Sequence, residues 1–205
     1  VITRLVTFLL LPLYTNQFTP EQNGIVALFY TFVPLLNIVV RYGMGAAFLK
    51  NYVPANKEDR ISIMTNVIIS LVLTGIPFLL LFYFFRENLS LVFFGVVKPS
   101  YVVMMGMIIF LDTIWSIPML ALRAENRPRL FIFFSFLNVG VTLLCNLVFI
   151  IIFKMNIGSI FLSNLIASLI IFILVLPYIY QRFRFSSLSI VKWKAILSFA
   201  LPFLP

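Results

Sequence analysis

Apolar residues run in long stretches along this chain, and short polar segments separate them. Stretches of about 18 or more apolar residues with few charges are long enough to cross a membrane as helices. The pattern predicts six such helices and the start of a seventh, over residues 1–14, 20–40, 61–85, 101–122, 128–153, 157–180 and 195–205. The sequence therefore predicts an all-α polytopic membrane protein.

This pattern divides into a six-helix N-terminal transmembrane lobe, residues 1–180, a cytoplasmic linker, residues 181–194, and the first residues of a seventh helix. Because the chain starts at Val1 and stops within an apolar run, we expect it to be a piece that is cut inside its first and seventh helices. Between the second and third helices, "KNYVPANKEDR" is expected to form a basic loop.

Two helix starts carry recognisable signals. In "TPEQ", Thr19 is suited to cap the second helix, Pro20 to occupy its first position, and Gln22 to complete a capping box. Pro128 is suited to the first turn of the fifth helix. The segment "RENLSLVFFGVVKPS" is half apolar, and we interpret it as a connector along the membrane interface.

Composition supports a membrane protein and leaves little chemistry for an enzyme. The chain is 62% hydrophobic and 10% charged, whereas a soluble domain is roughly 45–50% apolar. It contains no histidine, and its one cysteine, Cys145, lies in an apolar run. Acid–base, metal and nucleotide chemistry all lack the necessary residues. We expect a protein that is not an enzyme and has no cofactor or metal.

The distribution of the basic residues predicts an orientation, because Lys and Arg are biased towards the cytoplasmic side of a membrane. Eleven lie in one set of alternate segments: Arg41, Lys50, Lys57, Arg60, Arg123, Arg127, Arg129, Arg182, Arg184, Lys192 and Lys194. Three lie on the opposite side: Arg86, Lys98 and Lys154. The N-terminus is therefore expected in the cytoplasm. The cations lie singly or in pairs rather than on one face, which argues against nucleic acid as a partner.

Three predicted helices carry a stripe of small polar residues at helical spacing. The stripes are Asn66, Ser70 and Thr74 on the third helix, Ser135, Asn138, Thr142 and Cys145 on the fifth, and Asn164 and Ser168 on the sixth. Such residues are enriched where membrane helices pack together. They could equally line a shared hydrated cavity, and the sequence leaves both interpretations open.

Asp112 lies in the middle of the fourth apolar run, where a carboxylate costs about 2.5–3.5 kcal/mol to insert. Such a residue faces the bundle interior or water and usually has a partner. It has either a functional role or a structural one, as a brace to Trp115 or to an asparagine on a neighbouring helix. Arg4 has a similar ambiguity, because it is buried if its helix begins well upstream and otherwise lies at the interface.

Several motifs resemble a known family. In order along the chain they are "TRLVTFLLLPLYTNQFTPEQNGIVALF", "RYGMGAAFLKNY", "IPMLALRAENRPRLF" and "KWKAILSFALPFLP". They are similar to the polysaccharide-unit flippases of the multidrug, oligosaccharidyl-lipid and polysaccharide exporter superfamily. The resemblance implies about fourteen helices in two lobes of six plus a pair, which face each other across a central cavity. It also implies that the protein turns a polyprenyl-pyrophosphate-linked oligosaccharide from the cytoplasmic to the outer leaflet.

The resemblance further implies a substrate site in that cavity. Related lipid II flippases place arginines of the first and second helices there, and Arg4 and Arg41 fall at similar places. The same cavity would contain Asp112, Asn66 and Asn138. Alternatively, Arg41 anchors its helix at the membrane interface and does not bind substrate. Lys50 is interpreted as one of the basic residues that set the orientation in the membrane. Gly43 and Gly45 would permit close approach of the backbone at the end of this helix.

The chain departs from the lipid II flippases, which tend to carry carboxylates near both arginines. "RLVTFLLLP" and "RYGMGAA" contain none, which favours the O-antigen and capsule branch and leaves any coupling to an ion gradient with Asp112. The main rival is an ion-coupled drug or metabolite antiporter of the same superfamily. A membrane glycosyltransferase or polymerase and a non-transporting scaffold are weaker rivals. The resemblance implies a bacterial cytoplasmic membrane protein, with lipid-linked oligosaccharide, membrane lipids and the polysaccharide polymerase machinery as partners.

Overall fold

The structure, a computed structural model, describes residues 12–200 and 202, and this part of the chain is helical with no strand. A π-helical turn, Val148–Ile152, continues one helix, and a short 3-10 turn, Phe185–Ser187, precedes the last. The helices are α1 (described over residues 12–17), α2 (Pro20–Arg41), α3 (Met44–Tyr52), α4 (Lys57–Phe84), α5 (Arg86–Phe94), α6 (Pro99–Ala124), α7 (Pro128–Leu147), α8 (Gly158–Gln181) and α9 (Ile190–Ala200). The predicted all-α class is confirmed.

Among the described residues, five helices are long and apolar enough to cross a membrane, with mean hydropathies from 1.8 to 2.6. They are Pro20–Arg41, Lys57–Phe84, Pro99–Ala124, Pro128–Ile152 and Gly158–Gln181. Helices satisfy their own backbone hydrogen bonds, which is the condition for crossing a hydrocarbon layer. The chain is a multi-pass membrane protein.

The centre of the bundle is α6. In the most apolar 18-residue segment of α6, 61% of the segment is buried inside the protein. The corresponding value for α7 together with its π-helical turn is 17%. One end of α6 contributes Ile108 to an apolar cluster with α1, α2 and α5. The other end contributes Ile117 and Leu122 to a second cluster with α3, α4, α8 and α9. The middle of α6 therefore lies between the two apolar clusters.

The local signals at the helix starts are confirmed. The amide of Gln22 donates to the Thr19 hydroxyl, and the Gln22 side chain accepts from the Thr19 amide, which forms the predicted capping box. Pro20 and Pro128 occupy the first turns of α2 and α7, where a missing N–H costs no helical hydrogen bond. The half-apolar connector contains a helix of its own, α5.

The segment between α2 and α4 differs from the expected basic loop. Residues 44–52 form a helix, α3, whose side chains Met44, Ala47, Phe48 and Tyr52 are fully buried. These apolar residues are spaced three or four positions apart, as on one face of a helix. The sequence therefore contained a signal for α3, but the neighbouring charged residues favoured the interpretation as a loop. The interruption after Arg41 is consequently a sharp turn into the protein core, and not the start of an exposed loop.

Two glycines make this turn possible in different ways. Tyr42 and Gly43 both have positive φ, 31° and 75°, a region that glycine occupies without strain. Gly45 lies where α3 approaches α6, and an added Cβ would be 3.2 Å from Leu120 Cδ1. Gly45 thus allows the close approach that was expected, whereas Gly43 shapes the turn.

The segment after α8 is held against α4. The Ser62 hydroxyl donates to the carbonyl of Ser187 (2.7 Å), and the amide of Arg184 donates to the Thr65 hydroxyl (3.1 Å). Two further contacts join α9 itself to α4, from Trp193 to Ser70 and from Lys192 to Asp59. The beginning of α9 is therefore packed on the lobe.

Candidate functional site

Arg41, the last residue of α2, reaches across to the middle of α6. Its Nη2 donates to the backbone carbonyl of Asp112 at 3.2 Å. The turn at Tyr42 directs the following chain away into α3, so the Arg41 side chain lies between packed helices. The structure therefore brings together two predicted site residues that are 71 positions apart.

The Asp112 carboxylate joins α6 to α8. Its Oδ1 accepts a hydrogen bond from the Ser168 hydroxyl on α8 (2.6 Å) and another from Trp115 Nε1 (2.9 Å). Both bonds are charge-assisted and short, so they fix the position of the carboxylate. The bond to Trp115 is the brace that the sequence offered as one interpretation of Asp112. Asp112 accepts from Arg41 through its backbone carbonyl, so the brace and the contact with Arg41 exist together.

The guanidinium of Arg41 retains unused hydrogen-bonding capacity. Its Nε is buried and has no hydrogen-bond partner among the described residues. Within the same part of the chain, its bond to Asp112 is to the backbone carbonyl and not to the carboxylate. A buried donor without a partner is costly in a folded protein, commonly by about 1–3 kcal/mol. The Nε–H of Arg41 is therefore a buried donor that has no partner among the described residues.

A second polar network lies one helical turn along α8. Asn164, four residues before Ser168, donates to the Tyr30 hydroxyl on α2 at 3.3 Å. The Tyr14 hydroxyl on α1 donates to Asn146 Oδ1 on α7 at 3.2 Å and lies 3.5 Å from the Tyr30 hydroxyl. The sequence analysis missed both tyrosines, because an aromatic residue in an apolar run has no signal of a polar partner.

The other predicted site residues have separate surroundings. The Asn66 side chain is buried and donates to the carbonyl of Ser62 on its own helix, α4. Asn138 is half-buried on α7, and its carbonyl accepts the Thr142 hydroxyl. Arg4 lies outside the described residues. The described hydrogen bonds thus join Arg41 and Asp112, and they do not connect Asn66 or Asn138 to this pair.

The polar stripe of α4 faces a different neighbour from that of α8. Ser70 contacts Trp193 of α9, and the Thr74 hydroxyl donates to the carbonyl of Ser70 at 3.0 Å. With Tyr42 and Leu73, these residues line a mainly apolar cavity of about 440 Å³ between α2, α4 and α9. The α8 stripe instead contacts α2 and α6. The stripes therefore contribute to helix packing in two regions of the bundle.

Comparison with known proteins assigns the family. A sequence model described as "Polysaccharide biosynthesis protein" matches residues 1–204, nearly the whole chain. The chain belongs to this family. The match agrees with the resemblance that the ordered motifs indicate. A comparison with curated protein sequences found no significant match.

Two solved structures share the fold of this polysaccharide biosynthesis protein. An outward-facing multidrug resistance MATE family transporter of the MOP superfamily is 14% identical, with a TM-score of 0.81 over 99% of this chain and 48% of that protein. An inward-facing transporter of the same description is 16% identical, with a TM-score of 0.71 over 89% of this chain and 45% of that protein. The chain thus spans about half the length of each structure and has the fold of that half.

Proposed function

We propose that this polysaccharide biosynthesis protein flips a polyprenyl-pyrophosphate-linked oligosaccharide across the bacterial cytoplasmic membrane, for surface polysaccharides of the O-antigen or capsule type. The proposal makes the protein a transporter and not an enzyme. It rests on one structural observation, the buried Nε of Arg41, which has no hydrogen-bond partner among the described residues. The proposed cargo carries a pyrophosphate, and an anion inside a membrane is costly unless a cation pairs with it.

Arginine suits this cargo better than lysine. Its planar guanidinium can donate two parallel hydrogen bonds to a phosphate group, whereas lysine presents a point charge. Arg41 is held by α6 through the Asp112 carbonyl, so the direction of its remaining donors is restricted. Ionisable residues inside membrane bundles commonly mark the pathway of a substrate or ion. Arg41 would therefore bind the pyrophosphate, and Arg4 would supply a second cation.

In this proposal Asp112 regulates the charge at the site. Its carboxyl group is fixed by Trp115 and Ser168, and in the proposal it contributes a negative charge to the site of Arg41. An arriving pyrophosphate is attracted by Arg41 and repelled by Asp112. The repulsion prevents the cargo from binding too tightly to leave when the cavity opens to the opposite side, as alternating access requires.

The rival function is an ion-coupled antiporter, and Asp112 is the feature that favours it. Transporters use intramembrane carboxylates to carry protons or cations. The two functions require opposite charges to dominate the substrate site: a cation for a pyrophosphate, a carboxylate for a coupling ion. The Nε of Arg41, which has no partner in the described part of the chain, supports the flippase.

The proposed function can be tested with the full-length protein in proteoliposomes that contain a lipid-linked oligosaccharide in the inner leaflet. We expect the sugar to become accessible to an impermeant glycosidase within minutes, because the protein provides a polar path for it. Vesicles without protein should protect the sugar. Efflux of a cationic drug under an ion gradient is measured in parallel. Drug efflux without exposure of the sugar would identify the protein as the antiporter.

The proposed orientation, with the N-terminus in the cytoplasm, predicts which end of the bundle is accessible from outside. The structure groups Tyr52, Glu125 and Arg182 at one end and Gln17, Lys154 and Asn156 at the other. After Cys145→Ser, cysteines at Glu58 and Ser186 are expected to resist an impermeant thiol reagent in intact cells. A cysteine at Asn156 is expected to react.

All three labelling positions are exposed, so a protected cysteine reports its side of the membrane and not its burial. Glu125 is less suitable for this experiment because its carboxylate bonds Tyr52 and Arg182. Permeabilised cells provide the control, in which every cysteine should react. Labelling of Glu58→Cys and Ser186→Cys in intact cells, with protection of Asn156→Cys, would establish the reverse orientation.

A further inference from the structure

The basic end of the bundle contains a pocket that orientation alone does not explain. The ends of α3, α4, α6, α7 and α8 meet there around a cavity of about 390 Å³. Four cations line it, Lys57, Arg60, Arg127 and Arg182, against a single carboxylate, Glu125. A topology signal requires only that positive charges lie on the same side of the membrane. It does not require that they converge on one cavity.

Glu125 holds one wall of this pocket together. Its Oε1 accepts a hydrogen bond from the Tyr52 hydroxyl (2.7 Å), and its Oε2 pairs with Arg182 Nη2 (3.2 Å). The side chain of Glu125 is only 11% exposed. Burial, together with the Glu125 carboxylate, raises the pKa of Tyr52 to about 12, so its hydroxyl keeps the proton that it donates. Glu125, Tyr52 and Arg182 thus form a closed, structural group.

The remaining cations are not neutralised in this way. Arg127 Nε lies 3.7 Å from Glu125, and its side chain is 53% exposed. Arg60 donates to the carbonyls of Ala55 (3.0 Å) and Val53 (3.2 Å), which hold its guanidinium without cancelling its charge. Lys57 has no ion pair among the described residues. The lining carries a net charge of +3.

The position of the pocket indicates what could occupy it. α4 and α7 begin at this end and α6 and α8 finish here, so the pocket opens where the spanning helices leave the membrane. Phosphate groups of lipids are concentrated at that level, and basic pockets at the ends of membrane helices bind such headgroups. Its volume falls within the usual range of about 300–1,000 Å³ for small-molecule sites. Arg60 is already oriented by its two carbonyl contacts, which lowers the entropy lost on binding.

We propose that this pocket, formed by Lys57, Arg60, Arg127 and Arg182 around Glu125, binds a phosphate group presented at the membrane surface. The ligand chemistry is a phosphomonoester or diphosphate. The group belongs either to a lipid headgroup or to a soluble phosphate compound. This site is separate from Arg41 and Asp112, and the proposal does not depend on which cargo the protein transports.

The test compares the full-length protein with the double variant Lys57→Gln/Arg127→Gln. These two residues are chosen because the bonds among Tyr52, Glu125 and Arg182 remain intact. In one arm, calorimetry measures the binding of inorganic pyrophosphate, with every protein compared in an Arg41→Ala background so that the proposed cargo site does not contribute. In the other, native mass spectrometry measures retention of phosphatidic acid from vesicles that also contain phosphatidylcholine. We expect the double variant to lose at least about tenfold in affinity, since each charged contact to phosphate is worth about that factor or more.

The matched control is Arg129→Gln, which removes an exposed cation near the pocket that does not line it. Its binding should equal that of the wild type, and the melting temperatures of all variants should agree. A loss confined to the phosphatidic acid arm identifies a lipid headgroup as the ligand. A loss confined to the pyrophosphate arm identifies a soluble compound. Equal binding by the double variant and the wild type in both arms, or an equal loss in Arg129→Gln, overturns the proposal.

Discussion

Full-length protein with Arg41→Ala is expected to flip lipid-linked oligosaccharide roughly ten- to hundredfold more slowly than wild type, because a lost charged hydrogen bond costs about 1.5–3 kcal/mol. Arg41→Lys should retain an intermediate rate, since it keeps the charge but loses the planar fork. The rate is measured in proteoliposomes by glycosidase access. In cells, we expect the lipid-linked unit to accumulate in the inner leaflet and surface polysaccharide to disappear.

Each Arg41 variant must first be shown to insert normally, because Arg41 also donates to the carbonyl of Asp112. Arg129→Ala is the matched control, an exposed arginine on the same side that is expected to leave transport unchanged. If Arg41→Ala inserts normally and still supports full flipping, the guanidinium does not bind the cargo. Arg41 would then serve as an anchor of α2 against α6.

For Asp112→Asn we expect tighter substrate binding together with slower turnover. The amide oxygen can still accept hydrogen bonds from Trp115 and Ser168, so the position of the side chain is preserved. Only the negative charge is lost, and with it the repulsion that we propose helps a pyrophosphate to leave Arg41. The concentration of cargo at half-maximal rate should fall, and the maximal rate should fall by roughly tenfold, the effect of about 1.4 kcal/mol.

Comparison of Asp112→Ala with Asp112→Asn distinguishes the structural role of the Asp112 hydrogen bonds from the role of its charge. It removes both hydrogen bonds and leaves the donors of Trp115 and Ser168 without this acceptor, at a cost of about 1–3 kcal/mol for each. We expect less folded protein for this variant, measured by detergent-extracted yield and melting temperature. Trp115→Phe, which removes one donor and no charge, should retain the kinetic behaviour of the wild type. If the kinetics of Asp112→Asn equal those of the wild type, the charge of Asp112 has no role in transport and the residue has only a structural role.

The local features of this fold were predictable because they depend on neighbouring residues. Membrane helices follow from the length of apolar stretches, and the start of α2 follows from the adjacent Thr19, Pro20 and Gln22. α3 was missed although its apolar residues have helical spacing, because the charges of Lys50 and Lys57 nearby resembled those of a loop. Its burial depends on the positive-φ turn at Gly43 and the approach of Gly45 to Leu120.

Residue type alone indicated that Asp112 was unusual, since a charge in an apolar segment is expensive and requires a reason, whereas Arg41 became a candidate through the resemblance to a known family. The sequence thus determined by itself the class of protein and the long apolar helices, and it singled out Asp112 as a candidate. Only the tertiary structure decided that Arg41 reaches the Asp112 carbonyl, and that Asp112 pairs with Ser168, 56 residues away. A polar stripe specifies which face of a helix is buried, but many partners are compatible with it. The partner is selected by how the helices cross and pack, which depends on the whole bundle.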